Sequence, residues 1–184
     1  MWWSSRALRL LIVLGLAGMT GGCFTPLYGS GGGLTAGLQQ KLASIDVPPI
    51  PNGNAPNGSS LARVGVNIRN ELMFELTGGG SKAWATHRLD IKLSASVTEV
   101  VVDVNTNRPD VENYGITATY RLTDLATGKV VVDSTTFSRV SYNIPGQQQR
   151  FAGARGRLEA EDRAAQVIAD NIRTRLASYF VAGT

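Results

Sequence analysis

Cys23 is the only cysteine of this 184-residue chain and the residue with the clearest chemical use. It directly follows Gly21 and Gly22, at the place where small residues end a secretory signal peptide. One thiol cannot form a disulfide within a chain, and an unused cysteine is a liability in an oxidising compartment. Cleavage before Cys23 would free an amino group, and acyl chains on nitrogen and sulfur would anchor the protein. We therefore predict that Cys23 is the lipid-attachment site of an exported lipoprotein.

Residues 1–22 have the composition of a signal peptide. Arg6 and Arg9 make the start basic, residues 10–17 (LLIVLGLA) are apolar, and the segment ends in mostly small residues. The apolar run is about half the roughly 20 residues that cross a bilayer, so a permanent anchor helix is not expected. Plain secretion, a retained segment and a buried core helix remain as alternatives. Phe24 rather than aspartate follows the cysteine, and by resemblance to other bacterial lipoproteins this implies export to the outer membrane.

Other combinations of residues that could support chemistry are weak. His87, the only histidine, shares its strand phase with Leu89, which favours a partly buried structural role. Residues 78–82 (GGGSK) lack the spacing of a phosphate loop, and no G-x-S-x-G nucleophile elbow occurs. Three acidic residues near the last predicted helix are better explained by the helix dipole than by a metal site: Glu159, Glu161 and Asp162. We expect no enzyme activity, no metal and no cofactor.

Hydrophobic periodicity predicts the elements of one folded body. Apolar residues three or four apart predict a helix over 61–77, capped by Ser59 or Ser60 and ended by glycine. Residues 42–47 read as a short strand, and from residue 85 a period of two predicts three antiparallel strands, with a bulge near 98–100. A last helix is predicted from about Arg157 to Phe180. The expected fold is α+β, a four-stranded mixed or antiparallel sheet in the order βαβββα with two helices on one face.

Composition agrees with this organisation. The predicted domains are a signal peptide at 1–22, a lipidated flexible tether at 23–40, rich in glycine, and a body at 41–184. The chain is 43% hydrophobic and 17% charged, as in ordinary globular domains. Its formal net charge is +4, and loss of Arg6 and Arg9 leaves 16 basic against 14 acidic residues. That balance does not indicate nucleic-acid binding.

Three stretches of the chain resemble a known family: residues 23–29 (CFTPLYG), 63–80 (RVGVNIRNELMFELTGGG) and 171–180 (NIRTRLASYF). They are similar to the LptE lipopolysaccharide-assembly lipoproteins in their alphaproteobacterial form. The resemblance implies a small α/β body that plugs a large outer-membrane β-barrel, LptD, from the periplasmic side. Together the two would insert lipopolysaccharide into the outer leaflet. The family has no catalytic motif, so Cys23 alone carries over as a functional position.

This resemblance suggests a ligand for Arg88 and Lys92, which share the polar face of one predicted strand. Lipid A carries phosphates, which guanidinium and ammonium groups bind through charge-assisted hydrogen bonds. The alternative is that both are ordinary solvated strand residues. Arg121, Lys129 and Arg139 are weaker candidates.

Two other functions remain open at this stage. An accessory lipoprotein of a periplasmic lipid-transport ATPase would share the tether and a small α/β body. A lipoprotein hydrolase is disfavoured by the missing nucleophile elbow and the single histidine.

Overall fold

The computed structural model describes residues 33–51, 53, 55–81, 83–103, 108–144 and 150–183. The chain divides into two compact units, residues 1–37 and residues 38–184. Of the first unit only residues 33–37 are described, and they begin a helix. The predicted signal peptide, Cys23 and the first ten residues of the predicted tether lie outside the described residues, so these predictions stay predictions.

The described elements are three helices and four strands. The helices are α1 (Gly33–Ala43), α2 (Ser60–Thr77) and α3 (Arg150–Ala182). The strands are β1 (Ile45–Asp46), β2 (His87–Asp103), β3 (Arg108–Asp124) and β4 (Val130–Asn143). The α+β fold with a mixed four-stranded sheet is confirmed, but a helix precedes the first strand.

The sheet follows chain order, β1-β2-β3-β4. β1 runs parallel to β2, and the other two pairs are antiparallel. The register places Leu89 opposite Leu122 and Ile91 opposite Tyr120. The β2–β3 register shifts between Glu99 and Val101, at the place where the alternation of apolar and polar residues is interrupted and a bulge is predicted. The strand predictions for the meander are therefore confirmed.

α2 begins and ends as its sequence predicts. The Ser59 hydroxyl accepts a hydrogen bond from the Ala62 amide, which satisfies one of the unpaired donors of the first turn. Gly78 ends the helix with φ of 63°, a left-handed conformation in which a Cβ is costly. The N–H of Gly78 donates to the carbonyl oxygen of Phe74. A side chain at Gly78 would also meet the amide of Gln39, at 3.0 Å.

The core lies between one face of the sheet and the helices. Each helix contributes a buried stripe: Leu38 and Leu42 from α1; Val64, Ile68, Leu72 and Leu76 from α2; Ile168, Ile172 and Leu176 from α3. The sheet contributes the inward residues of its central strands: Leu89, Ile91, Tyr114, Ile116, Ala118, Tyr120 and Leu122. Alanines accompany the α3 stripe, and small side chains at a contact let a helix approach its neighbours closely. The burial of one sheet face leaves the other face to solvent.

Two boundary predictions are wrong. The strand predicted within 42–47 is reduced to Ile45–Asp46, because the preceding residues belong to α1. The last helix begins at Arg150 rather than near Arg157.

Among the described residues, no helix combines the length and the apolarity that crossing a bilayer requires.

Candidate functional site

The solvent-facing side of the sheet carries the predicted ligand residues. We call this surface the outer face. Its members alternate with the buried residues of β2, β3 and β4: Arg88, Asp90, Lys92, Ser94, Ser96, Thr117, Thr119, Arg121, Asp133, Thr135, Phe137 and Arg139. Hydroxyls dominate its middle, where the Oγ1 atoms of Thr119 and Thr135 lie 3.2 Å apart in a hydrogen bond. The outer face is therefore a polar, hydrogen-bonding surface with a few separated charges.

Two arginines of the outer face are already paired. Arg88 Nε donates to Asp90 Oδ1 at 3.1 Å, and Arg121 Nε donates to Asp133 Oδ2 at 2.9 Å. All four side chains are at least half exposed, so each pair contributes little to stability and can exchange partners with a ligand. A phosphate that binds either arginine must compete with the neighbouring aspartate.

Lys92 and Arg139 are the outer-face cations that make no ion pair within the described part of the chain. Lys92 is four residues from Arg88 on the same strand, about 13 Å away. Arg139 lies two strands across, four residues beyond Thr135, which shares a row with Lys92. Lys129 is in the turn between β3 and β4, where its carbonyl oxygen accepts from the Asp124 amide. The structure thus spreads the predicted cations over one surface without gathering them into one pocket.

Phe137 is the feature of the outer face that sequence reasoning missed. It is 71% exposed and lies opposite Thr117 in the sheet. The sequence could have indicated this exposure. Phe137 is an odd number of residues from Val132 and from Tyr142, so its side chain points to the face opposite to these two buried residues. Phe137 is therefore the largest apolar side chain that the outer face presents to solvent.

A buried carboxylate forms a second cluster, where α2 and α3 meet the sheet. Glu161 is 1% exposed, and its Oε1 accepts a hydrogen bond of 2.5 Å from the Ser60 hydroxyl. Arg63 donates to Oε2 at 3.0 Å and Arg157 to Oε1 at 3.3 Å. The Tyr114 hydroxyl lies 2.9 Å from the Ser60 oxygen and completes the chain of contacts. We call these five residues the Glu161 cluster.

The Glu161 cluster corrects the sequence interpretation of the acidic residues. Because α3 begins at Arg150, Glu161 lies about three turns into the helix and not at its start. Glu159 instead forms an exposed pair with Arg163, while Asp162 accepts a hydrogen bond from Asn67. The described ranges contain no group of three or more histidine, cysteine, aspartate or glutamate side chains that could hold a metal ion.

Burial and neighbouring groups shift the pKa of both tyrosines near this cluster. Burial raises the pKa of Tyr114, while its hydrogen bond to Ser60 acts in the opposite direction. Burial and the adjacent Glu112 carboxylate raise the pKa of Tyr142 to about 12, and the Tyr142 hydroxyl donates to Glu112. Both phenols therefore remain protonated donors at neutral pH, which suits a structural network.

His87 is half-buried at the start of β2, as its phase predicts. Its ring meets Phe180 of α3 edge-on, with centroids 5.2 Å apart, and Nδ1 lies 2.8 Å from the Thr86 hydroxyl. Burial lowers the pKa of His87 below its ordinary value of 6.5, and the nearby Asp124 partly offsets this. The surroundings favour a neutral imidazole that joins the end of α3 to the sheet.

The lowered pKa of His87 predicts a pH dependence of stability. Because the unfolded chain binds this proton more tightly, the free energy of unfolding should be constant above about pH 6.5 and fall as the pH drops below it. The slope stays below about 1.4 kcal/mol per pH unit, the limit for one proton. Urea titrations between pH 7.5 and 5.5 measure it.

The control for this prediction is His87→Phe, which keeps a ring beside Phe180 and removes the only histidine. It should flatten the profile over the same range. Glu75, whose pKa is raised above its ordinary value of 4.5 chiefly by burial, acts with the opposite sign, because its contribution to stability is lost as the pH rises from 4.5 through the raised pKa. An unchanged slope in His87→Phe would assign the dependence to another group.

Comparisons with known proteins give one family. The family model described as LptE, lipopolysaccharide-assembly, matches residues 42–176. A comparison of the sequence with curated proteins gives no match.

Two solved structures share the fold. A candidate lipoprotein from Caulobacter crescentus CB15 is 22% identical, with a TM-score of 0.59 over 80% of this chain and 98% of that one. Rare lipoprotein B from Shewanella oneidensis is 13% identical, with a TM-score of 0.51 over 75% of this chain and 95% of that one. At these identities the similarity shows the fold alone.

Proposed function

From its membership of the LptE family of lipopolysaccharide-assembly lipoproteins, we propose that this chain is an outer-membrane subunit of the lipopolysaccharide translocon. In this role it is anchored through Cys23 at the periplasmic face, binds and plugs an LptD-type β-barrel, and assists lipopolysaccharide insertion into the outer leaflet. The role is structural and requires no catalytic group. The single observation that carries the proposal is the family match over residues 42–176, which spans α2, all strands and most of α3.

The architecture suits a protein that sits in a polar cavity. The lumen of a large outer-membrane barrel is polar, so a plug needs a polar surface and a core that is complete without its partner. The core described above is closed by the helices on one side of the sheet, and hydroxyls and charges cover much of the other. The exposed hydroxyls of Ser94, Thr117 and Thr119 can exchange water for polar groups of a barrel wall at little cost.

Co-purification tests the partner. The native chain is purified from detergent-solubilised envelopes through an affinity tag at its C-terminus, and the associated proteins are identified by mass spectrometry. We expect a detergent-stable complex with an outer-membrane barrel of LptD type. Recovery of an inner-membrane transport ATPase in its place would support the accessory-lipoprotein alternative and overturn the proposal.

Contact with lipopolysaccharide is the second part of the proposal. Arg88 and Lys92 are the candidate phosphate ligands, and Arg139, which makes no ion pair with the described residues, is a further candidate on the same face. The double variant Arg88→Glu and Lys92→Glu should weaken lipopolysaccharide binding about tenfold or more, because it exchanges two charge-assisted contacts for repulsion. Binding of labelled lipopolysaccharide to the purified chain measures the effect.

A matched control is Lys41→Glu, an exposed cation of α1, one of the helices that cover the other face of the sheet. This variant should bind like the parent. Unchanged binding by the Arg88 and Lys92 double variant would remove these residues from the proposal while leaving the barrel partnership intact.

A further inference from the structure

The outer edge of β4 pairs with no strand of the described chain. β4 is last in the sheet order and is 14 residues long. A free edge exposes a row of backbone N–H and C=O groups that can pair with another strand. Proteins usually protect such edges with proline, lysine, bulges or short length. Val130–Asn143 contains no proline and no lysine, and its register with β3 is continuous from Val132 to Asn143.

The sequence of β4 is complementary to itself when two copies run antiparallel. A two-fold axis at Thr136 places residues that are equally far from Thr136 opposite each other. Asp133, three residues before it, then faces Arg139 of the second copy, and the same pair forms again on the other side of the axis. Opposite charges directly across a strand pair stabilise it, whereas like charges destabilise it.

The available charges suit this arrangement. Arg139 has no ion pair within the described residues, and its cross-strand neighbour Gly115 has no side chain. Asp133 binds Arg121 through Oδ2 and keeps Oδ1 for a second cation. Val132 faces Val140 of the second copy in the same register, on the inner side of the sheet.

The same register also covers Phe137. The exposed ring lies opposite Thr135 of the second copy, and the two Phe137 side chains become diagonal neighbours on the outer face. Diagonal pairs are within the reach of aromatic side chains. The largest apolar side chain of the outer face is thereby removed from water.

α3 places a second apolar contact beside this edge. Asn171 Nδ2 donates to Thr136 Oγ1 at 3.1 Å, which locates that side of the helix next to the centre of β4. Val167 is one turn earlier on the same side and is 46% exposed. We propose that, before it binds a barrel, the chain forms a two-fold homodimer in which β4 pairs antiparallel with β4 of a second copy about Thr136, giving one eight-stranded sheet.

Sedimentation velocity of the full chain in detergent tests the dimer. We expect a reversible monomer–dimer equilibrium at micromolar concentration. Asp133→Arg and Arg139→Asp should each weaken the association about tenfold or more, because each variant places like charges opposite each other twice. Asp90→Arg is the matched control: it also disrupts an arginine pair on the outer face, but lies on β2, away from the edge, and should dimerise normally.

Mixing the variants separates pairing from misfolding. An equimolar mixture of Asp133→Arg and Arg139→Asp should form a heterodimer, since both charge pairs become complementary again. The double variant that carries both changes should form a homodimer for the same reason. A parent chain that stays monomeric over the whole concentration range would overturn the proposal. So would two variants that retain native circular dichroism and still fail to associate when mixed.

Discussion

Replacing Glu161 by glutamine is expected to lower the free energy of unfolding by about 3 kcal/mol, near the lower end of the range for breaking a buried ion pair. The carboxylate is 1% exposed and accepts hydrogen bonds from Ser60, Arg63 and Arg157. Glutamine keeps the size of the side chain but removes the charge, and it turns an N–H₂ group toward at least one of these donors.

The expected loss stays near the lower end because of the arginines. Arg63 and Arg157 have side chains that are 43% and 45% exposed, so water can solvate them after the carboxylate is gone. The Ser60 hydroxyl lies between Glu161 and the buried Tyr114, so without the carboxylate oxygen it keeps Tyr114 as its side-chain partner. Most of the lost free energy of unfolding should therefore come from the hydrogen bond between the Ser60 hydroxyl and the buried Glu161 carboxylate.

Chemical denaturation of Glu161→Gln and of Glu159→Gln side by side measures this effect. Glu159 is two residues away on α3, is 71% exposed and lies 3.7 Å from Arg163. Its substitution should cost less than about 0.5 kcal/mol, as expected for a surface pair one turn apart. Equal losses in the two variants would show that the cluster adds nothing to the packing of α2 on α3.

The meander was predictable because local pattern and tertiary environment agree there. Residues 87–93 and 114–122 alternate apolar and polar side chains, and the sheet buries or half-buries the apolar face of both stretches. α2 was predictable for the same reason: its apolar residues recur at helical spacing, and the capping residues Ser59 and Gly78 directly flank them. In such segments the local preference and the final fold point to one answer.

The starts of α1 and α3 were not predictable, because the glycines at both starts suggest a flexible segment instead of a helix. Gly33 and Gly37 make the start of α1 read as a tether, yet Leu38 and Leu42 are buried in the core and hold the helix. Gly156 makes the start of α3 read as a loop. A Cβ at Gly156 would lie 3.5 Å from a backbone oxygen of β4, an ordinary van der Waals contact, and the helix is held by the buried residues that follow, Ala160, Ala164 and Ile168. Packing overrides propensity in both cases.

The polar clusters were the least predictable part of the site. Glu161 and Ser60 are 101 residues apart, and nothing in either neighbourhood marks them as partners. The pairing of Arg88 with Asp90 could have been suspected, since residues two apart on a strand share a face. That pairing shifts attention from Arg88 toward Lys92 and Arg139, which make no ion pair with any residue that the structure describes.

Replacing Cys23 by alanine is expected to release the protein from the membrane almost completely. The prediction rests on the anchor proposed above: stable attachment needs at least two membrane signals, and an acylated first residue supplies them as acyl chains. Fractionation of cells into soluble and membrane fractions, followed by immunoblotting, measures the distribution.

The matched control is Ser30→Ala, a change of similar size in the predicted tether that leaves the cysteine intact. It should stay in the membrane fraction and give the mass of an acylated chain that starts at Cys23. The Cys23→Ala variant should keep the thermal stability of the parent body, since the change lies outside residues 38–184. A Cys23→Ala protein that has lost residues 1–22 and still remains membrane-bound, or a parent protein whose mass shows an unmodified thiol, would refute lipid anchoring. The family assignment of residues 42–176 would be unaffected.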